Sequence, residues 1–212
     1  MSTAITTPPA ARADEGFLLV LSAASGATDA FAFLCLGKVF AGVMTGNLVL
    51  VGASVGAGDR DVVPRALTGL VGYALGAAAA AVASPRLTPR PLLVAETALL
   101  ALAAGGWALG FGHALGSQLV LLVVLAFAMG VQARTWGTPT TYFTGTFMKL
   151  AGRLGKREAE QADRWVAGRL GAVVLGAAVT SLVVWWSPAA AGAAGAVLCA
   201  VAAVAFASAA RR

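Results

Sequence analysis

Apolar residues fill the chain in blocks of about twenty, parted by short stretches rich in Gly, Pro, Arg or Asp. Phe17–Leu36, Ala66–Ser84, Leu92–Phe111, Leu115–Ala133, Trp165–Trp186 and Ala189–Ala210 each reach or approach the roughly 20 residues a helix needs to cross about 30 Å of hydrocarbon. Val39–Ala57 is also long enough, but Asn47 in mid-segment and the pairs Gly42/Gly46 and Gly52/Gly56 disfavour a plain lipid-facing helix. Thr138–Leu154 is shorter and more polar, and it opens on Pro139 and several Thr. Non-helical backbone persists at membrane depth only where protein buries it or where it lines a cavity. The pattern therefore predicts an all-α integral membrane protein. It has six spans plus two re-entrant or broken segments, or up to eight spans.

The segments fall into two sets of four. Laying residues 40–108 over 139–207, at an offset of 99, matches Thr45-Gly46 with Thr144-Gly145 and Gly56 with Gly155. The same frame matches Arg65, Gly69 and Gly72 with Arg164, Gly168 and Gly171. With a gap of about five residues the match extends back, placing Leu18, Leu21, Ala24 and Gly26 on Leu122, Leu125, Ala128 and Gly130. The expected organisation is a disordered tail over 1–16 and one transmembrane domain over 17–212. Repeat 1 covers about 17–111 and repeat 2 about 115–210. The first apolar run reads as an uncleaved span, not a secretory signal. Four full crossings per repeat make the halves parallel; three, with the second segment dipping in and returning, make them inverted.

Composition narrows the class. The chain is 59% hydrophobic and 11% charged, with a mean hydropathy of +0.84, where a soluble domain carries about a quarter charged residues. The net charge of +6 would suggest a nucleic-acid partner in a soluble protein. Here the basic residues sit between and after spans, where the positive-inside bias places them. In the inverted model eleven basic residues, including those of Lys149–Arg164, share the cytoplasmic side with both termini, and Lys38, Arg60 and Arg65 lie outside. Eight crossings split them ten to four. Cys35 and Cys199 read as apolar packing residues, and His113 is the single histidine, so no metal cluster, cofactor or Ser-His-Asp triad is expected.

Asp29 stands near the middle of the first span, where an ionised carboxylate must be paired, protonated or facing water. It reads as a cation or proton site or an anchor for a polar substrate; the structural alternative is an ion pair with Arg134 or Arg169. Gln132 occupies nearly the matching place in repeat 2. Met44-Thr45-Gly46-Asn47 and Phe143-Thr144-Gly145-Thr146 supply uncharged donors and acceptors beside Gly. Meeting at mid-membrane they would form one polar site; alternatively their hydroxyls seal two helix breaks. Glu96 reads as snorkelling to the interface beside Arg90, and Arg169 as reaching the cytoplasmic surface. Gly72-x3-Gly76 and Gly106-x3-Gly110 read as helix-packing steps. Lys149–Arg164 reads as a solvated loop, and it would also suit anionic lipid headgroups.

Gly26-x-x-Asp29-Ala30-x-x-Phe33-Leu34-x-Leu36-Gly37, followed by Met44-Thr45-Gly46-Asn47, resembles the YoaK-like family of bacterial inner-membrane proteins. Phe127-Ala128-Met129-Gly130-Val131-Gln132 and Tyr142-Phe143-Thr144-Gly145-Thr146 match that family's second half, so the resemblance runs over about 16–210. Ala133 stands where the family usually carries Asn, so no role of that Asn transfers. The resemblance implies a multi-pass cytoplasmic-membrane protein, presumed a transporter, and supplies no substrate.

The expectation is a small-solute transporter or channel with a pathway at Asp29, Thr45, Gly46, Asn47, Gln132, Thr144, Gly145 and Thr146. Its partners are an unidentified small molecule or ion and the bilayer, with no nucleic acid; homo-oligomerisation is left open. Dispersed polar residues without catalytic spacing argue against an enzyme. The alternative is a non-transporting membrane scaffold or lipid-binding protein.

Overall fold

The computed structural model of the chain describes residues 15–136 and 143–209. Most of the expected tail, Thr138, Pro139 and the terminal Arg211-Arg212 lie outside the described residues. Runs of Ala, Leu and Val become helices because in lipid the backbone N–H and C=O groups of each apolar segment must be satisfied within it. These are α1 (Glu15–Cys35), α2 (Met44–Ala57), α3 (Val62–Ala83), α4 (Pro89–Ala108), α5 (Leu115–Thr135), α6 (Thr144–Gly155), α7 (Gln161–Trp186) and α8 (Ala193–Ala209), the last preceded by a 3-10 turn at Pro188–Ala190. Local chemistry sets their ends. Pro89 opens α4, where its missing N–H is no loss. Glu160 and Asp163 form a reciprocal capping box at α7. Gly58, at φ +71°, closes α2. The described secondary structure is entirely helical.

Six stretches are long and apolar enough to span: α1, α3, α4, α5, α7 and Pro188–Ser208. α2, at 14 residues, is about 21 Å long, too short to cross alone. It also starts five residues later than the apolar run Val39–Ala57, because residues 36–43 form a loop. Large apolar side chains on the outer faces, among them Leu102, Val174, Leu182 and Val204, are exposed toward where lipid would lie.

Helix directions decide between six and eight crossings. Phe17 stacks edge-on against Trp136 at 4.6 Å, and Gln132 donates to the Leu21 carbonyl, so α1 and α5 run antiparallel. Trp107 donates to the Pro188 carbonyl and Thr97 to the Cys199 sulfur, so α4 also opposes its counterpart, α8. Eight full crossings would make both pairs parallel. The helix directions therefore fit six crossings, to which α2 and α6 add none.

The two most extensive contacts pair α1 with α7 and α3 with α5, each parallel. They depend on glycine. A Cβ on Gly26 would strike the Val173 backbone and one on Gly176 the Ala23 backbone; likewise Gly76 abuts Phe127 and Gly130 abuts Tyr73. Without small residues the backbones could not approach this closely. Gly72 belongs to the same interface, 3.0 Å from the Val123 carbonyl oxygen for a Cβ placed there. The expected second step is different: Gly110 lies past the end of α4 with φ +85°, so Gly106-x3-Gly110 is no helix stripe.

Two charged residues do not snorkel as expected. Glu96 is 1% exposed, because the stripe Leu93, Glu96, Leu100 and Ala103 of α4 faces the core. Arg169 is 6% exposed; four-residue steps along α7 put it on the inward face with Val173, one turn away. Its Nε and Nη1 make no hydrogen bond.

Candidate functional site

α1 ends at Cys35, and the loop through Gly37 and Lys38, both at positive φ, folds back along it. That return brings Gly42 to Asp29, six residues before the end of α1. The Gly42 N–H donates to Asp29 Oδ1 at 2.7 Å, and the Ala41 and Val43 amides are also directed at the carboxylate. Asp29 thus serves as an acceptor for the exposed amides before α2, supplied from another helix. Gly42 keeps this contact close: a Cβ there would sit 3.1 Å from Asp29 Oδ2 and push the carboxylate back by a few tenths of an ångström. Neither Arg134 nor Arg169 pairs with Asp29; among the described residues the ion pairs join Arg153 to Asp163 at 2.7 Å and to Glu160 at 3.6 Å.

Beside this carboxylate lies a cavity of about 430 Å³. Ser25 and Asp29 of α1, Met44 and Thr45 of α2, Tyr73 of α3 and Val173 of α7 line it, with Gly42, Val43, Phe143 and Thr144. The wall residues from α1, α3 and α7 are mid-helix, so the cavity is at mid-depth. The first turns of the two short helices meet here.

Three of the expected pathway residues, Asp29, Thr45 and Thr144, therefore share one cavity; the other five do not line it. Asn47 is fully buried. Its Nδ2 donates to the Phe40 carbonyl at 2.7 Å and its Oδ1 accepts the Phe40 N–H at 2.9 Å, which closes the loop. Gly69 leaves room for that amide, 2.9 Å from a Cβ placed there. Gly46 faces the Phe40 ring at 3.0 Å, Gly145 faces open space, and Thr146 is half-buried. Gln132 is buried at the α1–α5 contact, donating to Leu21. Ser25, Tyr73 and Val173 line the cavity without having been singled out, and Phe143, named as the first residue of its Thr-Gly element, joins them. Tyr73, one of two tyrosines and set in the middle of an Ala-Gly-Leu span, was the available signal.

At the far end of α6, Lys149, Gly152, Arg153, Lys156 and Glu158 line a second hollow of about 280 Å³. The described residues hold no group of three His, Cys, Asp or Glu suited to a metal ion.

A family model described as "Protein of unknown function (DUF1275)" matches residues 17–205. The chain belongs to this family. A relative, the UPF0700 transmembrane protein YoaK of Bacillus subtilis (strain 168), is 30% identical over 146 residues, 63% of this chain and 64% of the relative. The match therefore spans a little under two thirds of that protein. No solved structure matches. The DUF1275 membership, the transmembrane relative and the six apolar spans make the chain a multi-pass membrane protein.

Proposed function

We propose that the protein moves a small polar solute across the membrane through the cavity at Asp29. One observation carries this reading: the cavity joins a carboxylate at membrane depth to the first turns of both short helices, Thr45 and Thr144. A protein serving only as a scaffold would have no use for a cavity that gathers Asp29, Thr45 and Thr144 there. Half-helices that begin at mid-membrane are also a recurring way to build solute sites in transporters.

The proposed device is a pair of inverted repeats. Each α1-type helix packs on the α3-type helix of the other half, α1 on α7 and α5 on α3, and the antiparallel α1/α5 and α4/α8 pairs suit inversion. Rocking of the halves would then expose the cavity to each side in turn. The positive residues of Lys149–Arg164 support a cytoplasmic position for that edge and for both termini, and the reading is of a transporter or channel in a bacterial inner membrane, not of an enzyme. A second reading, anionic-lipid binding, rests on the hollow at Lys149, Arg153 and Lys156.

Uptake into proteoliposomes, screened over cationic, anionic and neutral solutes, tests the proposal. At least one solute should accumulate in wild type, and filling the cavity by Thr45→Trp should abolish it. Uptake indifferent to Thr45→Trp would overturn the pathway. Orientation is read by single cysteines at 60 and 88: a membrane-impermeant reagent on intact cells should label position 60 and spare position 88.

A further inference from the structure

We infer that the solute is a small organic monocation of the ammonium type, held at Asp29; this rests on the transport reading above. Among the ten described lining residues Asp29 is the one acidic side chain, and no described Lys, Arg or His contributes to the wall. It is 9% exposed and fixed by the Gly42 amide. That hydrogen bond orients the carboxylate toward the cavity wall it lines.

The rest of the wall suits a cation. Tyr73 and Phe143 contribute aromatic rings and Met44 a thioether, and π faces attract ammonium groups most strongly where water is scarce. The hydroxyls of Ser25, Thr45 and Thr144 can accept N–H donors. An anionic solute would meet the Asp29 carboxylate, and the start of α6 gathers about half a positive charge, while the start of α2 is already engaged by Asp29. Arg169, one turn from Val173 on α7, does not line the wall. A bare divalent metal is a poor match too, since Ca²⁺ takes roughly six to eight oxygens and this wall has one carboxylate. At about 430 Å³, against about 30 Å³ per water, the space suits an organic ion.

The test uses the full chain with Cys35→Ala and Cys199→Ala and one new cysteine, Thr45→Cys or Thr144→Cys. Each is treated with a quaternary-ammonium and with a sulfonate methanethiosulfonate reagent, and the rate ratio is normalised to that of Gly116→Cys on the exposed surface. The cationic reagent should be favoured by about tenfold or more, and adding Asp29→Asn should bring the ratio close to the surface value. A ratio near the surface value with Asp29 present overturns the inference and leaves the open cavity standing. Reaction with neither reagent at either position overturns the inference together with the transport reading. Wild-type protein provides an independent arm: tetramethylammonium chloride should raise its melting temperature more than sodium methanesulfonate does, and the reverse order would sink the cation assignment.

Discussion

α2 and α6 begin at the same Thr-Gly step, yet they are held at opposite ends. α2 is fixed where it starts: Asp29 accepts the Gly42 amide and Asn47 bonds both polar groups of Phe40. In α6 Thr146 stands at the place of Asn47 in the 99-residue frame, and Ala133 at that of Asp29 in the frame shifted by five. Among the described residues that helix is fixed at its far end instead. Arg153, in its last turn, grips buried Asp163 at 2.7 Å, and Leu150 is its one buried residue. A shared motif thus reports a shared place at the cavity, while the anchoring differs between the halves. If the halves move against each other, the start of α6 is the end with fewer described ties.

Replacing Asn47 would break the comparison hardest. Asn47→Leu fills the same space but strands the N–H and C=O of Phe40, and each unsatisfied buried group costs about 1–3 kcal/mol. A loss of about 2–5 kcal/mol is expected, seen as a sharply lowered melting temperature in detergent and poor expression. Thr146→Ala should fall within about 0.5 kcal/mol of wild type. Equal losses at the two sites would show that both helices are locked at their start.

The far end of α6 comes next. Arg153→Ala leaves Asp163, 4% exposed, without its cation, while the capping bond from the Glu160 N–H to Asp163 Oδ2 survives. A cost of about 1–3 kcal/mol is expected, and Asp163→Asn in the Arg153→Ala background should recover part of it. Thermal melts of the single and double variants measure this coupling.

Much of this was legible from residue order, for a physical reason: lipid tolerates no unpaired backbone, so each span must be one long apolar run. The six spans follow from that constraint. The Thr-Gly match also brought Thr45 and Thr144 to one cavity, because both mark the start of a short helix. Side-chain partners were harder. An Asn in mid-segment looks the same whether it binds a solute or, as Asn47 does, a neighbouring backbone. Glu96 and Arg169 were read by distance from a helix end, when their faces were the better guide. Glu96 shares the Leu93, Leu100, Ala103 stripe, and Arg169 the Val173, Gly176, Thr180 face. The 99-residue frame is also not the frame of the helix crossings. Gly76 and Gly176 make the matching close approaches, one residue out of step, whereas Gly171, the partner of Gly72 in the frame, has nothing within 4 Å.

At Asp29 the comparison predicts a separation of charge from shape. Asp29→Asn keeps an acceptor for the Gly42 N–H, so stability should change by no more than about 1 kcal/mol, whereas Asp29→Ala leaves the amides before α2 open and should cost about 1–2 kcal/mol. Solute uptake should be lost in both. An Asp29→Asn protein as unstable as Asp29→Ala would mean that the charge itself is needed to hold the loop.

The smallest effect separates the two glycines of the motif. A Cβ at Gly46 would lie 3.0 Å from the Phe40 ring and 3.3 Å from Val43, so Gly46→Ala must displace a ring that belongs to the Asn47-locked loop. A Cβ at Gly145 meets nothing within 4 Å, and neither glycine has positive φ. Alanine in an open helical position gains roughly 0.5–1 kcal/mol by narrowing the unfolded chain's freedom and by helix propensity. Gly145→Ala should therefore raise the melting temperature slightly, and Gly46→Ala should lower it or leave it unchanged. A Gly145→Ala protein that melts below wild type would place an unseen neighbour against the start of α6, and would bring the two short helices closer in kind than their anchoring now makes them.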